Sequence, residues 1–191
     1  MQRKNQHRIL VLGCGQVGRS TWIKQMRIIR SGFGDDERAQ MKLDIALNIA
    51  MSITSLIENI SFVLYNPESD EDKQLQIAVN RIMSTLDQHL NTTKHLFEPD
   101  PETVLSIADE ITLVWNSGPI QEAYRNRDFQ LIECARYFLN KVHVIMGPDY
   151  VLTNEDITQT YQKTEGIIEH EFEILGSGPA GGKIIIVRIY S

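Results

Sequence analysis

A glycine-rich segment near the start of the chain has the residue types and spacing of a phosphate-binding loop. Residues 13–20 read Gly-Cys-Gly-Gln-Val-Gly-Arg-Ser and fit the pattern G-x-x-x-x-G-[K/R]-S. Glycines let backbone N–H groups converge on phosphate oxygens without Cβ clashes, and a helix N-terminus behind them adds partial positive charge. The pattern also supplies a hydroxyl, that of Ser20, to ligate Mg²⁺. We predict a phosphate-binding loop; the alternative is an ordinary glycine turn.

Arg19 occupies the position at which such loops carry a lysine. A lysine ammonium is a compact point charge, whereas a guanidinium is planar and broader. Arg19 can still neutralise phosphate charge, but the loop would have to open to admit it. We therefore expect weakened phosphate affinity.

The segments on either side of the loop are those that a phosphate-binding loop requires. Residues 8–12 form a short apolar run typical of a buried strand, and residues 20–29 have the pattern of a helix. Farther along, apolar residues at three- and four-residue spacing predict a helical bundle, with helices at 46–64, 75–90, 104–115 and 128–145 and a loop at 66–72. Alternation over 168–174, a glycine-rich loop at 176–182 and a β-branched run at 183–190 predict a hairpin.

Bulk properties exclude several classes of protein. The 191 residues carry a net charge of −6, which gives no general attraction to nucleic acid or anionic lipid. Two cysteines, Cys14 and Cys134, are too few for a disulfide framework. There is no signal-peptide pattern, no uninterrupted apolar run of membrane-spanning length and, with Gln2 after the first Met, no myristoylation site. We expect a cytoplasmic protein without a lipidation site of its own.

The motif and four further landmarks carry a family resemblance. Residues 9–29 resemble the first strand, P-loop and first helix of heterotrimeric G-protein α subunits, and Lys-Gln-Met-Arg-Ile-Ile at 24–29 is characteristic of that family. Matches follow in the same order: Ser-Gly-Phe-Gly at 31–34, Trp-Asn-Ser-Gly-Pro-Ile-Gln-Glu-Ala-Tyr at 115–124, Cys-Ala-Arg-Tyr-Phe-Leu at 134–139, and residues 148–157. The resemblance covers nearly the whole chain.

The resemblance implies a fold, a ligand and a set of site residues. The fold class would be an α/β P-loop (Ras-like) domain, incomplete and interrupted by an inserted all-α helical domain. Residues 1–34 would hold the first strand, P-loop and first helix, 35–157 the helical domain, and 158–191 the first switch and a two-strand hairpin. The ligand would be GTP or GDP with Mg²⁺. The implied nucleotide-binding residues are Gly13, Gly15, Gln16, Val17, Gly18, Arg19, Ser20, Thr21, Glu133, Cys134, Thr158, Gln159, Thr160 and Tyr161, with Ser20 and Thr164 as metal ligands.

Departures from the family pattern lead us to expect little or no GTP hydrolysis. The family's catalytic arginine falls on Tyr161, and a phenol cannot supply the bidentate positive charge that stabilises a transferring phosphoryl group. Its companion arginine falls on Gln159, and a cysteine, Cys134, replaces a serine near the nucleotide. Residues 188–191 read Arg-Ile-Tyr-Ser where the family has D-x-G-G-Q, and later guanine-recognition motifs do not occur. No residue of the chain is therefore assigned as catalytic.

The resemblance also indicates partners and competing functions. The βγ dimer and a receptor are the family's partners, but the terminal helices that contact them have no counterpart here; association with the inner face of the plasma membrane would come through partners. We further expect Ile9, Val11, Ile184 and Ile186 to lack the cover of a complete domain. The first function is a divergent, truncated guanine-nucleotide-binding signal transducer. The alternative is a non-catalytic helical interaction module, and a P-loop small-molecule kinase has less support because no lid arginines are recognisable.

Overall fold

The computed structural model describes residues 6–11, 18–60, 69–90, 99–126, 128–162, 167–174 and 182–189. The chain divides into two compact units, Gly34–Tyr161 and the combination of Met1–Phe33 with Gln162–Ser191. The sequence prediction separates the parts at 34/35 and 157/158, whereas the two compact units meet at 33/34 and 161/162. The described elements are β1 (Gln6–Val11), α1 (Arg19–Arg30), α2 (Asp35–Ile60), α3 (Asp70–Leu90), α4 (Pro101–Ser106), α5 (Ala108–Asn116), α6 (Gly118–Arg125), α7 (Ala135–Leu139), α8 (Val142–Met146), α9 (Asn154–Gln159), β2 (Ile167–Ile174) and β3 (Gly182–Ile189).

The first unit contains a three-stranded sheet in the order β1-β3-β2. β3 is the central strand: it pairs in parallel with β1, residues 6–11 opposite residues 183–188, and antiparallel with β2. The predicted hairpin is thus confirmed for its two strands, while the predicted loop at 176–182 lies outside the described residues except for Gly182. Two parallel neighbouring strands need a crossover connection. Here the connection is the whole segment of chain between β1 and β3.

Helix α1 covers part of one face of this sheet. Ile186 of β3 is 0% exposed and clusters with Ile23 of α1, and the partly buried Val11 and Met26 pack against this pair. The expectation that Ile186 lacks cover is therefore wrong, because α1 supplies it. Ile9, on the edge strand β1, remains 42% exposed. The side chain of Ile184 lies outside the described set.

The second unit is a helical bundle built around α2. Its side chains Ile45, Ile49, Ile53 and Leu56 recur at three- and four-residue spacing and are all 0% exposed. Helices α4, α6 and α7 pack against α2, and α3 packs against α5. By length and apolar composition α2 could cross a membrane, but 56% of its most apolar window is buried within the bundle. Core packing therefore accounts for its apolar character.

Short polar motifs fix where several helices begin. Ser69 and Asp72 exchange backbone-to-side-chain hydrogen bonds of 3.0 Å at the start of α3, and Asp100 accepts a bond from the Thr103 N–H at the start of α4. The predicted loop at 66–72 is wrong at its end, because α3 already begins at Asp70. Acidic residues in a first helical turn are stabilised by the helix dipole, which favours a helix there over a loop.

Two predicted helices are broken in the structure. Backbone torsions of φ −119° and ψ 18° at Ile107 end α4 and start α5 within the predicted helix 104–115. The predicted helix 128–145 is wrong over residues 128–134, which are not helical, and it breaks again at Asn140 and Lys141. Those two polar side chains form tertiary hydrogen bonds with Trp115 and Asp156, which a continuous helix would not have provided for.

The two tryptophans differ in burial, although both are apolar enough to be expected in cores. Trp115 is 3% exposed, with its ring N–H donating to Asn140 at 2.7 Å. Trp22, in contrast, is 41% exposed on α1. The α1 residues that cluster with Ile186 of β3 are Ile23 and Met26.

Candidate nucleotide-binding site

The predicted phosphate-binding loop connects β1 to α1. Gly13, Gly15, Gln16 and Val17 lie outside the described residues, and Gly18 is the first described residue after them. Gly18 is the N-cap of α1, with φ 78° and ψ 10° in the left-handed region. Its carbonyl accepts the Trp22 N–H at 2.9 Å. Residues other than glycine adopt this conformation only at a cost of roughly 1 kcal/mol or more.

The first turn of α1 has the properties of an anion site. Gly18 has no side chain to cap the helix, and the first turn contains no acidic residue. The positive end of the helix dipole is therefore not neutralised by a carboxylate of its own first turn. Ser20 and Thr21 are half-buried in this turn, and the side chain of Arg19 lies outside the described set. The described residues fit a phosphate group.

Metal ligation rests on two predicted residues. Ser20 lies in the first turn of α1, while Thr164 falls outside the described residues. Within the described ranges no group of three or more His, Cys, Asp or Glu side chains could hold a metal ion. A Mg²⁺ site of the predicted kind does not need such a group, since side-chain hydroxyls, phosphate oxygens and water make up its ligands.

In the helical unit, Asn48 brings two of the predicted site residues together. Cys134 is 3% exposed, and its Sγ lies 3.5 Å from Asn48 Oδ1, to which the thiol donates. The Tyr161 N–H donates to the same Oδ1 at 2.8 Å, and Asn48 Nδ2 donates to the Tyr161 carbonyl at 3.0 Å. Glu133, next to Cys134, is exposed. The thiol of Cys134 thus points into the bundle rather than to solvent.

Residues 158–161 form the end of α9 and the segment after it. The hydroxyl of Thr158 donates to the Asn154 carbonyl at 2.7 Å, and that of the buried Thr160 donates to the Asp156 carbonyl at 2.7 Å. Gln159 is exposed, and Tyr161 is 41% exposed. Both threonine hydroxyls therefore satisfy backbone carbonyls of their own helix in this conformation.

A buried carboxylate anchors α9. Asp156 is 0% exposed, and its Oδ1 accepts from the Tyr137 hydroxyl at 2.8 Å and from Lys141 Nζ at 3.0 Å. Its Oδ2 accepts from the Tyr150 hydroxyl at 2.8 Å and from the N–H and hydroxyl of Thr153 at 2.8 and 2.7 Å. Thr153 accepts the Asp156 N–H in return, which completes a capping box. This Asp156 network ties α9 to α7 and to the segments preceding α8 and α9.

The Asp156 network shifts the pKa values of its members. Burial alone would raise the pKa of Asp156, but the hydrogen bonds from Thr153 and then from the two tyrosines outweigh it and lower the pKa to about 2. Burial likewise opposes the charged form of Lys141, and its hydrogen bonds to Tyr137 and Asp156 more than compensate, so its pKa is raised. Burial raises the pKa of Tyr137 and Tyr150. At neutral pH the network contains one carboxylate, one ammonium and two neutral phenols.

Sequence reasoning missed Asn48 and Asp156 as organising residues, although each left a signal. Asn48 and Ser52 are polar residues on the buried stripe of α2, between Ile45 and Ile53, and a polar residue there needs a hydrogen-bond partner. Asp156 is the fourth residue of a Thr-x-x-Asp pattern, which marks a helix start. Neither signal names the partners, which lie up to 113 residues away.

Comparisons with known proteins indicate the family of this chain. The family model described as G-protein alpha subunit matches residues 1–190. Relatives include the "Guanine nucleotide-binding protein G(s) subunit alpha" of Homarus americanus, 33% identical over 170 residues, and that of Schistosoma mansoni, 33% over 174. The "Guanine nucleotide-binding protein G(olf) subunit alpha" of Homo sapiens is 30% identical over 178 residues. These alignments cover 88–90% of this chain and 42–43% of the relatives, so the chain spans less than half of their length. It belongs to the G-protein alpha subunit family.

Proposed function

We propose that this chain is a guanine-nucleotide-binding signal transducer of the α-subunit type. The observation that carries the proposal is the family match over residues 1–190, together with a first turn of α1 that suits an anion. On this proposal the unit Gly34–Tyr161 is the inserted helical domain and the remaining unit is an incomplete Ras-like domain. The same proposal gives the chain a receptor and a βγ dimer as partners.

The residues that would hold the nucleotide lie mainly between β1 and the first turn of α1. Backbone N–H groups from 13 to 21 would surround the phosphates, Arg19 would contribute positive charge, and Ser20 and Thr164 would ligate Mg²⁺. The ion supplies charge neutralisation between the β- and γ-phosphates when it is bound. The family resemblance also assigns nucleotide contacts to residues 133–134 and 158–161, and the buried thiol of Cys134 would limit that residue to its backbone.

Hydrolysis should be defective in this protein. Tyr161 takes the position of the catalytic arginine, its backbone is fixed by Asn48, and its ring is 41% exposed. An arginine at this position is worth on the order of 10³-fold or more in rate, and a neutral phenol offers one donor without charge. Binding with little turnover is the activity that these residues support.

A titration with fluorescent GTP or GDP and Mg²⁺ tests the proposal. Micromolar binding that weakens in Ser20→Ala is expected, because the serine hydroxyl would be lost from the metal. Ser31→Ala is the matched control: it removes an exposed serine from the other end of α1 and should bind like the wild type. Absence of binding up to millimolar nucleotide would reject the proposal.

The second candidate function is a non-catalytic interaction module formed by the helical unit. It is favoured by the core of this unit, in which Ile49 and Ile53 of α2, Ile111 of α5 and Phe138 of α7 are all 0% exposed. A unit with a core of its own can keep its surface whether or not nucleotide binds. Absence of nucleotide binding by a folded chain would support this second candidate.

A further inference from the structure

Asn48 is a buried polar residue whose side-chain oxygen and nitrogen both have hydrogen-bond partners. It lies on α2, is 2% exposed, and its carboxamide forms two hydrogen bonds with the backbone of Tyr161 and accepts a third from the Cys134 thiol. The backbone carbonyl of Asn48 additionally accepts the Ser52 hydroxyl at 2.6 Å. A buried amide with these bonds is stable only while Tyr161 stays in place, since unpaired buried polar groups are costly.

The pairing between Asn48 and Tyr161 resembles one rung of a β-ladder. The carboxamide donates to the carbonyl and accepts from the N–H of the same residue, so it holds both the position and the orientation of that backbone. Tyr161 is the last residue of the helical unit. One residue earlier, the Thr160 N–H donates to the Asp156 carbonyl at 3.0 Å. The segment is thus fixed from α9 on one side and from α2 on the other.

We propose that Asn48 is a positioning residue that fastens the end of segment 158–161 to α2. Its role in nucleotide binding rests on the proposed function, which assigns nucleotide contacts to Thr158–Tyr161 from the family resemblance. Because the side chain of Asn48 is committed to Tyr161 and Cys134, it acts through the backbone of Tyr161. Cys134 adds a second link, since its thiol donates to the amide oxygen that also receives the Tyr161 N–H.

Amide hydrogen exchange by NMR on the full chain tests this fastening. Asn48→Leu keeps the number of side-chain heavy atoms and removes both hydrogen bonds to the backbone of Tyr161. The Tyr161 amide should then exchange roughly tenfold faster or more, while the Thr160 amide, bonded within α9, should change much less. Asn59→Leu is the matched control, because Asn59 is exposed on the same helix and donates to the Ser55 carbonyl of its own helix. It should leave the Tyr161 amide unchanged.

Asn48→Ala is the second variant and covers the case in which Asn48→Leu does not fold, because alanine is smaller than asparagine and favours a helix. Alanine also removes both hydrogen bonds to the backbone of Tyr161, so the Tyr161 amide should again exchange roughly tenfold faster or more. The proposal is overturned if Tyr161 exchanges at the wild-type rate in either folded variant, or if all amides accelerate equally.

Nucleotide titration separates this proposal from the proposed function. If the wild type binds nucleotide, Asn48→Leu should bind more weakly than Asn59→Leu, and equal affinity would overturn the role of Asn48 in the site. If the wild type binds none, the proposed function has failed and with it the nucleotide role of Asn48. The exchange rates still decide whether Asn48 fastens Tyr161.

Discussion

Replacing Asp156 by asparagine would remove a charge from the interior of the helical unit and leave the side-chain shape unchanged. The carboxylate accepts five hydrogen bonds, two on Oδ1 and three on Oδ2. An asparagine must direct its NH₂ group to one of these sides. On one side it meets the Lys141 ammonium and on the other the Thr153 N–H, and neither can accept a hydrogen bond. Either orientation therefore places a donor against a donor.

The magnitude follows from the burial of the carboxylate and the partial exposure of its cation. Breaking a fully buried ion pair costs about 3–5 kcal/mol. Asp156 is 0% exposed, but the Lys141 side chain is 33% exposed and regains some hydration, so we expect the lower end, about 3 kcal/mol. The lowered pKa of Asp156, about 2 against an ordinary 3.8, corresponds to about 2 kcal/mol. The loss of stability expected for Asp156→Asn is larger than the free energy given by the pKa shift, because asparagine also places a donor against a donor.

The same pKa gives the sign of the pH dependence. Because the pKa of Asp156 is lower in the folded chain than its ordinary value, the unfolded chain binds more protons in acid. The stability from this carboxylate is therefore complete above the ordinary pKa of 3.8 and is lost as the pH falls towards about 2. The difference in unfolding free energy between wild type and Asp156→Asn should narrow over this window.

Urea unfolding followed by far-UV circular dichroism measures the effect, since the helical unit dominates that signal. Asp109→Asn is the matched control: its side chain is 95% exposed, lies 3.3 Å from His143 and is in the first turn of α5, so only a small loss of stability is expected. The reasoning is refuted if Asp156→Asn is no less stable than Asp109→Asn. A stability difference that persists undiminished at low pH would refute the assignment of the charge to Asp156.

Three further outcomes are expected. Arg19→Lys should tighten any nucleotide affinity, by up to roughly tenfold, since a charged hydrogen bond of better fit is gained; an unchanged titration would contradict this. The 191-residue chain should release no phosphate from GTP above a no-protein control under single-turnover conditions, and Tyr161→Arg alone should not restore release, because the sequence contains no D-x-G-G-Q motif. Finally, an excised Gly34–Tyr161 segment should unfold cooperatively and be more stable than 35–157, which lacks the Tyr161 partner of Asn48; equal midpoints in urea would count against that contact.

Periodicity predicted the existence of most elements but not their breaks. The apolar stripe of α4 and α5 runs through Val104, Ile107, Ala108 and Ile111, all buried, so the pattern looks continuous although the backbone changes direction at Ile107. The apolar stripe predicted over 128–145 likewise does not indicate that the helix breaks at Asn140 and Lys141. The two strands of the hairpin were predictable because the alternation over 168–174 and the β-branched run over 183–190 are each local to one strand.

The candidate site was predictable only where it is local in sequence. The glycine-rich loop is contained in eight consecutive residues, whereas the pair Asn48 and Tyr161 spans 113 residues. The Asp156 network similarly joins residues from 137 to 156 through side-chain geometry. Polar residues on an apolar stripe indicate that partners are needed, but a single sequence does not say which residues they are.

The pairing of β1 with β3 has a consequence for the order of events during synthesis. Gln6 lies opposite Lys183, so at ordinary elongation rates about 177 residues and roughly 10–35 s separate the appearance of the two strands. During that interval the Gly34–Tyr161 unit can fold, while Ile9 and Leu10 of β1, exposed by 42% and 53% even in the finished fold, have no strand to pair with. We expect β1 to bind chaperones on the ribosome during this interval. Cross-linking from Leu10, compared between nascent chains that end before residue 189 and chains that end after it, would detect or refute this binding.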